Sequence, residues 1–315
     1  MIIALPGCQE RCGGILIPYP FGIGRNFSLS EEFNVTCKTF NNGTSIPYSY
    51  LHEVEILNID HTLGQGRIIS HISSRCYNTT TKQEDSLNWG MQFGDIPFWI
   101  NTEKNKFIVT GCNTLAYLCL NTDFSDINKE WQYCNSSSID YSVGCLSSCD
   151  SRETLIEHGS SSCSGIGCCQ TTIPKGTSSF LFSFDERINR SEVYNFNRCS
   201  FAMLVEEAKF NFSTAYVTND ELLDNPTLPM VINWAIGNGN TTCEHAQTDK
   251  SSYACISSNS NCTTISGRGY RCSCSNGYEG NPYLDGGCQG LNLSSVNSCF
   301  VFFLYYLYIY ICGPL

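Results

Sequence analysis

Twenty-one cysteines in a chain of 315 residues, spread from Cys8 to Cys312, restrict the possible folds more than any other feature of the sequence. That many thiols are a liability in a reducing compartment, whereas an oxidising one pairs them into a covalent framework. Zinc is the other use of clustered cysteines, but it asks for paired ligand units such as two CxxC segments, and the sequence has none. The chain is therefore read as secreted and stapled by disulfides. Acceptors for N-linked glycans at Asn26, Asn34, Asn42, Asn78, Asn135, Asn189, Asn211, Asn240, Asn261 and Asn292 favour the same exterior location. With 42% apolar and only 15% charged residues, the chain has the composition of a folded protein.

The regular structure expected is β. "VEILNI" (Val54 to Ile59) and "RIISHI" (Arg67 to Ile72) are rich in β-branched residues around an "LGQG" turn. "PFWINTEKNKFIVTGC" (Pro97 to Cys112) reads as a hairpin, and "SFLFSF" places Phe180, Phe182 and Phe184 on one strand face. "FAMLVEEAKF" (Phe201 to Phe210) is ambiguous between helix and strand. The fold class is accordingly all-β and disulfide-rich.

The two ends are read separately. Residues 1–7 are too short for a complete secretory leader and are taken as the remnant of a signal peptide. Residues 290–315 are a linker and a short hydrophobic tail. "CFVFFLYYLYIYIC" (Cys299 to Cys312) is apolar and aromatic throughout, yet as a helix it would reach about 21 Å of a hydrocarbon core of about 30 Å. Membrane attachment is left open, beside a lipid-anchor signal and a read-through tail.

Cysteine spacing marks out modules. Adjacent Cys168 and Cys169 are expected to bond to different partners, since a bridge between neighbours strains the intervening peptide. Cys243, Cys255, Cys262, Cys272, Cys274 and Cys288 admit fifteen pairings in principle. Their spacing resembles the epidermal growth factor (EGF) module, which implies Cys243 with Cys262, Cys255 with Cys272 and Cys274 with Cys288. Calcium is not assigned to this module, because "GNGNTTC" stands where calcium-binding versions carry acidic residues.

"PGCQERCGGILIPYPFGIG" at the start of the chain resembles the galacturonan-binding amino terminus of plant wall-associated receptor kinases. "GCNTLAY", "GIGCCQTTIPKG", "NWAIGN" and "YACISSNSNC" with "GRGYRCSCSNGYEGNPYL" resemble later landmarks of the same extracellular region, in order, from Cys8 to about Gln289. The resemblance implies a galacturonan-binding domain at 8–80, a cysteine-rich β domain at 81–237 and an EGF-like module at 239–289. It implies contact with cell-wall pectin and a location at the cell surface or in the plant wall. Two departures stand out. The cysteine that usually follows the Gly-Ile-Gly turn in this family is missing from "GIGRNFSLS", leaving thirteen cysteines ahead of the EGF-like module and hence an unpaired one. Cys12 or Cys37 is the expected orphan. No kinase signature is present either: the sequence has no glycine-rich phosphate loop and no Asp-Phe-Gly.

Candidate binding residues follow from the ligand's chemistry. Tyr19 and Phe21, held between prolines and glycines, could offer rigid aromatic faces to a pyranose ring, or could be buried as a corner of the fold. A polyanion also asks for cations, and Arg25, Lys38, Arg67 and Arg75 are the candidate basic patch, weighed against scattered surface charges. The formal net charge of −11 opposes nonspecific attraction to pectin. Calcium bridging between protein carboxylates and uronate is a second route.

Enzyme signatures are lacking: there is no Gly-X-Ser-X-Gly elbow and no His-Glu-X-X-His, and adjacent Glu206 and Glu207 point to opposite strand faces. The expected function is noncatalytic binding of pectin or oligogalacturonides, with no nucleic-acid partner. The alternative is a protein-interaction ectodomain or decoy that binds other ectodomains.

Overall fold

A computed structural model describes residues 3–94, 96–120, 141–159, 163–219 and 221–291. The described residues are strand-rich, as the short β-branched runs require, and helices among them are brief segments such as Arg152–His158 and Cys243–Thr248. Both of those helices start on a side-chain cap, from Ser151 and Thr242 respectively.

A small first sheet joins Gly22–Ile23, Asn34–Thr39 and Ser45–Ser49. Next to it lies a four-stranded sheet in the order Phe98–Ile100, Thr227–Trp234, Gln65–His71, Ile56–Asp60. A five-stranded sheet combines Cys168–Thr171, Asn105–Thr110, Cys199–Glu206, Ser73–Asn78 and Gln83–Leu87. Another four-stranded sheet is built from Gly90–Gln92, Ser179–Phe184, Thr114–Leu120 and Tyr141–Ser147. Strands from residues 56–78 thus pair with strands from residues 199–234. Sheets begun before residue 80 are completed by strands from the later part of the chain.

Strand Cys199–Glu206 settles the helix-or-strand ambiguity, and the reason is burial on both faces. Ala202 and Leu204 enter one core cluster, while Phe201, Met203 and Val205 enter a second. A period of two sorts these residues between two cores, where a helical period would mix them. Phe180, Phe182 and Phe184 all enter the first cluster, as their alternation predicts.

The expected hairpin at Pro97 to Cys112 does not form. Phe98–Ile100 pairs with Thr227–Trp234, whereas Asn105–Thr110 pairs with Cys168–Thr171 and Cys199–Glu206, so the chain changes sheets at the turn. Two asparagines fix that crossover. Asn101 Oδ1 accepts from the amides of Glu103 and Lys104, and Asn105 Nδ2 donates to the carbonyls of Asn101 and Val231.

Disulfides link Cys12–Cys37, Cys76–Cys199, Cys112–Cys149, Cys145–Cys169 and Cys163–Cys168. Cys168 and Cys169 do take different partners. The expectation that Cys12 or Cys37 is the orphan is corrected: these two bond to each other, tying the strand Arg11–Cys12 to the strand Asn34–Thr39 of the first sheet, and Cys8 is the unpaired thiol among the described residues. In the EGF-like module the bonds are Cys243–Cys262, Cys255–Cys272 and Cys274–Cys288, the three pairs its resemblance implies.

That module is docked on the rest of the molecule. Asn281, almost fully buried, donates from Nδ2 to the carbonyls of Tyr19 and Ile3, and Ile236 and Tyr270 exchange backbone hydrogen bonds. Tyr283 packs its ring 5.8 Å from that of Trp234. Cys134, Asn135, Asn292 and the hydrophobic tail lie outside the described residues, in which no helix is long and apolar enough to cross a membrane.

Candidate functional site

The segment "IPYPFGIG" is a corner of the fold. Phe21 is only 6% exposed, with its ring 5.0 Å from Phe33 and 5.3 Å from Trp234, both edge-on. A ring enclosed in that way has no face left for a sugar, which corrects its assignment as a contact residue. Gly22 permits the close turn beneath it, since a Cβ there would meet the Phe27 carbonyl oxygen at 2.0 Å. Tyr19 is half-buried, and burial raises the pKa of its hydroxyl. Its ring lines a groove of about 700 Å³ beside Tyr253 and Tyr283, and its carbonyl anchors Asn281.

The four candidate cations divide. Arg75 is 4% exposed, donating to the Asp185 carbonyl at 2.7 Å and pairing with Glu84, so it is corrected from ligand contact to core element. Arg190, fully buried, reaches the other oxygen of Glu84 at 2.7 Å, and desolvation lowers its pKa. Arg67 makes a two-pronged pair with Glu206, Nε to Oε2 at 2.5 Å and Nη2 to Oε1 at 2.7 Å. The Nε–Nη2 edge of Arg67, one of the two that can grip a carboxylate, is therefore occupied by one from the chain itself. The structure does not bring Arg67 and Arg75 into one patch with the other two.

Arg25 and Lys38 stay accessible on the first sheet, each against an aromatic ring. Arg25 lies 5.6 Å from the centre of the Tyr50 ring and donates from Nη2 to its hydroxyl at 2.7 Å, which raises the arginine's pKa. The Lys38 ammonium sits 4.6 Å from the centre of the Tyr48 ring. Strand register explains the arrangement. Thr36 opposes Tyr48 and Lys38 opposes Ile46, so these four side chains share one face, while Tyr50 lies just past the strand's end and is placed by its bond to Arg25. Among the described residues the anionic partner of Lys38 is Glu53, at 3.6 Å, in an exposed pair that solvent screens.

Tyr48 and Tyr50 were not singled out from the sequence. The signal was there in "SIPYSY", two tyrosines at strand spacing with one serine between them, the pattern of a half-exposed strand. An aromatic pair interleaved with two cations has the elements needed to hold an acidic sugar: flat rings for the C–H face of a pyranose and point charges for its carboxylate.

The glycan acceptors also divide. Asn26, Asn42, Asn189, Asn211, Asn240 and Asn261 are exposed and Asn78 is partly so. Asn34 is 4% exposed with Oδ1 unpartnered in the core, and a glycan there could not be accommodated by this fold, a correction to its assignment. Among the described residues no group of three or more His, Cys, Asp or Glu is placed to hold a metal ion.

A family model described as wall-associated receptor kinase galacturonan-binding matches residues 8–70, the segment that contains the first sheet. The chain is 34% identical over 298 residues to wall-associated receptor kinase 2 of Arabidopsis thaliana, covering 93% of this chain and 36% of that protein. It is 35% identical to wall-associated receptor kinase 5 of the same plant, over 90% of this chain and 34% of that protein. The chain thus spans about a third of the length of these relatives. No solved structure matches it significantly.

Proposed function

Because the chain is homologous over nine-tenths of its length to wall-associated receptor kinases and carries their galacturonan-binding domain, we propose that it is a noncatalytic, cell-wall-facing receptor ectodomain that binds acidic pectic polysaccharide. The observation that carries this reading is the pairing of Arg25 with Tyr50 and Lys38 with Tyr48 on one accessible face of that domain. A uronate ring can lie against a tyrosine while its carboxylate meets the neighbouring cation. The face supplies local positive charge that the net charge of −11 denies to the surface as a whole. Calcium bridging from exposed carboxylates remains an additional proposed contribution, read out by adding a chelator.

The test is binding of the secreted chain to oligogalacturonides against a neutral glucan, at two ionic strengths. Arg25→Ala and Lys38→Ala are each expected to weaken binding by about tenfold, the effect of one charge-assisted contact, and to reduce its salt dependence. Unchanged affinity in the double variant would overturn the assignment of the face. Binding to a protein ectodomain instead, with no affinity for any oligogalacturonide, would favour the interaction-module alternative.

A further inference from the structure

A cleft of about 440 Å³ begins where the cationic face ends, and Tyr48 is common to both. Its volume falls in the range of small-ligand sites, roughly 300–1,000 Å³. Strand Gln65–His71 contributes Ile69 and His71, and strand Gly90–Gln92 borders it on the other side. Trp89, half-buried, faces it with its ring 5.4 Å from that of His71 and 5.5 Å from Phe180. Trp89 is held in place at its backbone, where its amide donates to Ser73 Oγ at 2.7 Å. The cleft therefore has an aromatic side that is rigid before any ligand arrives.

Its charge is opposite to that of the neighbouring face. Glu53 and Glu55 line it and no Lys or Arg does. His52, also in the lining, has its pKa lowered by burial, which favours the neutral ring as a hydrogen-bonding partner. Glu53 in turn is the carboxylate that pairs with Lys38, so the sign of the surface reverses within one side-chain length of Tyr48. A free uronate placed here would meet the carboxylates of Glu53 and Glu55 with no Lys or Arg in the lining, whereas an uncharged pyranose would meet aromatic surface and polar groups able to bind its hydroxyls.

We propose that this cleft is a subsite for a neutral pyranose, such as a methyl-esterified galacturonate, adjacent to a free uronate held at Arg25 and Lys38. The proposal rests on the reading of the cationic face given above. It makes the chain a reader of mixed esterification rather than of charge density alone.

Three oligogalacturonides of matched length separate the possibilities: fully de-esterified, partly methyl-esterified and fully methyl-esterified. The expected order has the partly esterified oligomer bound best by the full chain. Trp89→Ala is expected to weaken that oligomer by about three- to tenfold, the worth of one aromatic contact, and to leave the de-esterified one within about twofold. Since Trp89→Ala also removes contacts to His71 and Phe180, Glu55→Gln serves as the second variant. By removing a like charge it should improve binding of the de-esterified oligomer about threefold. Equal effects of both variants on all three oligomers, or no effect on any, overturn the subsite while leaving the Arg25 and Lys38 results to stand. Binding that is indifferent to Arg25→Ala and Lys38→Ala overturns the cationic face and the subsite together.

Discussion

Two groups of cations sit within the first two hundred residues, and they use charge in opposite ways. In the buried group Arg75 and Arg190 converge on the two oxygens of Glu84 and on backbone carbonyls, and both side chains are buried. In the exposed group Arg25 and Lys38 rest on tyrosine rings at the surface, with a hydroxyl and a loosely paired glutamate as partners. The buried ions are part of the scaffold, since the removal of one member leaves an uncompensated charge in the core. The exposed ones contribute little to folding and are free to change partner, which is what ligand recognition requires.

The largest effects should come from breaking the buried side of this contrast. Glu84→Gln leaves Arg75 and Arg190 without a counter-charge and is expected to cost about 3–5 kcal/mol, read as a fall in the urea midpoint or as failure to secrete. Phe21→Ala is expected to cost a similar amount, about 3–5 kcal/mol, by opening a cavity against Phe33 and Trp234. Either variant retaining wild-type stability would show that the packing described around it is wrong.

Tyr48→Ala tests the exposed side. It should leave the unfolding midpoint nearly unchanged, within about 0.5–1 kcal/mol for a half-exposed strand residue, while weakening oligogalacturonide binding by about tenfold. A large loss of stability with intact binding would move Tyr48 from the proposed face into the scaffold.

Why the sequence could foretell the framework but not this division is a matter of distance along the chain. Cysteine count and EGF-like spacing are local or near-local signals, and three disulfides of that module span 14 to 19 residues. The alternation in "SFLFSF" is likewise local, and its three phenylalanines enter one core. Arg75 and Arg25, by contrast, look alike in sequence. What distinguishes them is that Arg75 meets the Asp185 carbonyl 110 residues away, and that its partner Glu84 is shared with Arg190 from 106 residues away. Arg67 is removed from the candidate patch by Glu206, 139 residues on. The same limit explains the hairpin that does not form: Thr227–Trp234 and Cys199–Glu206 compete for its two strands, and no window around Pro97 contains either.

One ion pair lies between the two extremes and sharpens the comparison with a smaller effect. Asp185 is buried, while its partner Arg187 is 84% exposed and grips it with Nε and Nη2 at 2.9 and 2.6 Å. The hydrogen bonds from Arg187 hold the Asp185 carboxyl at about 2, below its ordinary value of 3.8. A carboxyl depressed in the folded state contributes stability that is fully present above the unfolded value and is lost as pH falls from about 4 toward 2. Asp185→Asn should therefore cost about 1 kcal/mol at neutral pH, less than the full shift implies because the arginine is screened, and most of that cost should be gone by pH 2, the remainder disappearing below it. Glu206, lowered by its bond to Arg67, keeps part of the acid slope in the variant. Arg25→Ala should leave the acid limb as it is, because its hydrogen-bond partner is a hydroxyl rather than a carboxylate. A parallel loss of acid stability in Arg25→Ala would mean that the exposed cations are tied into the scaffold after all, and the distinction between the two groups would fail.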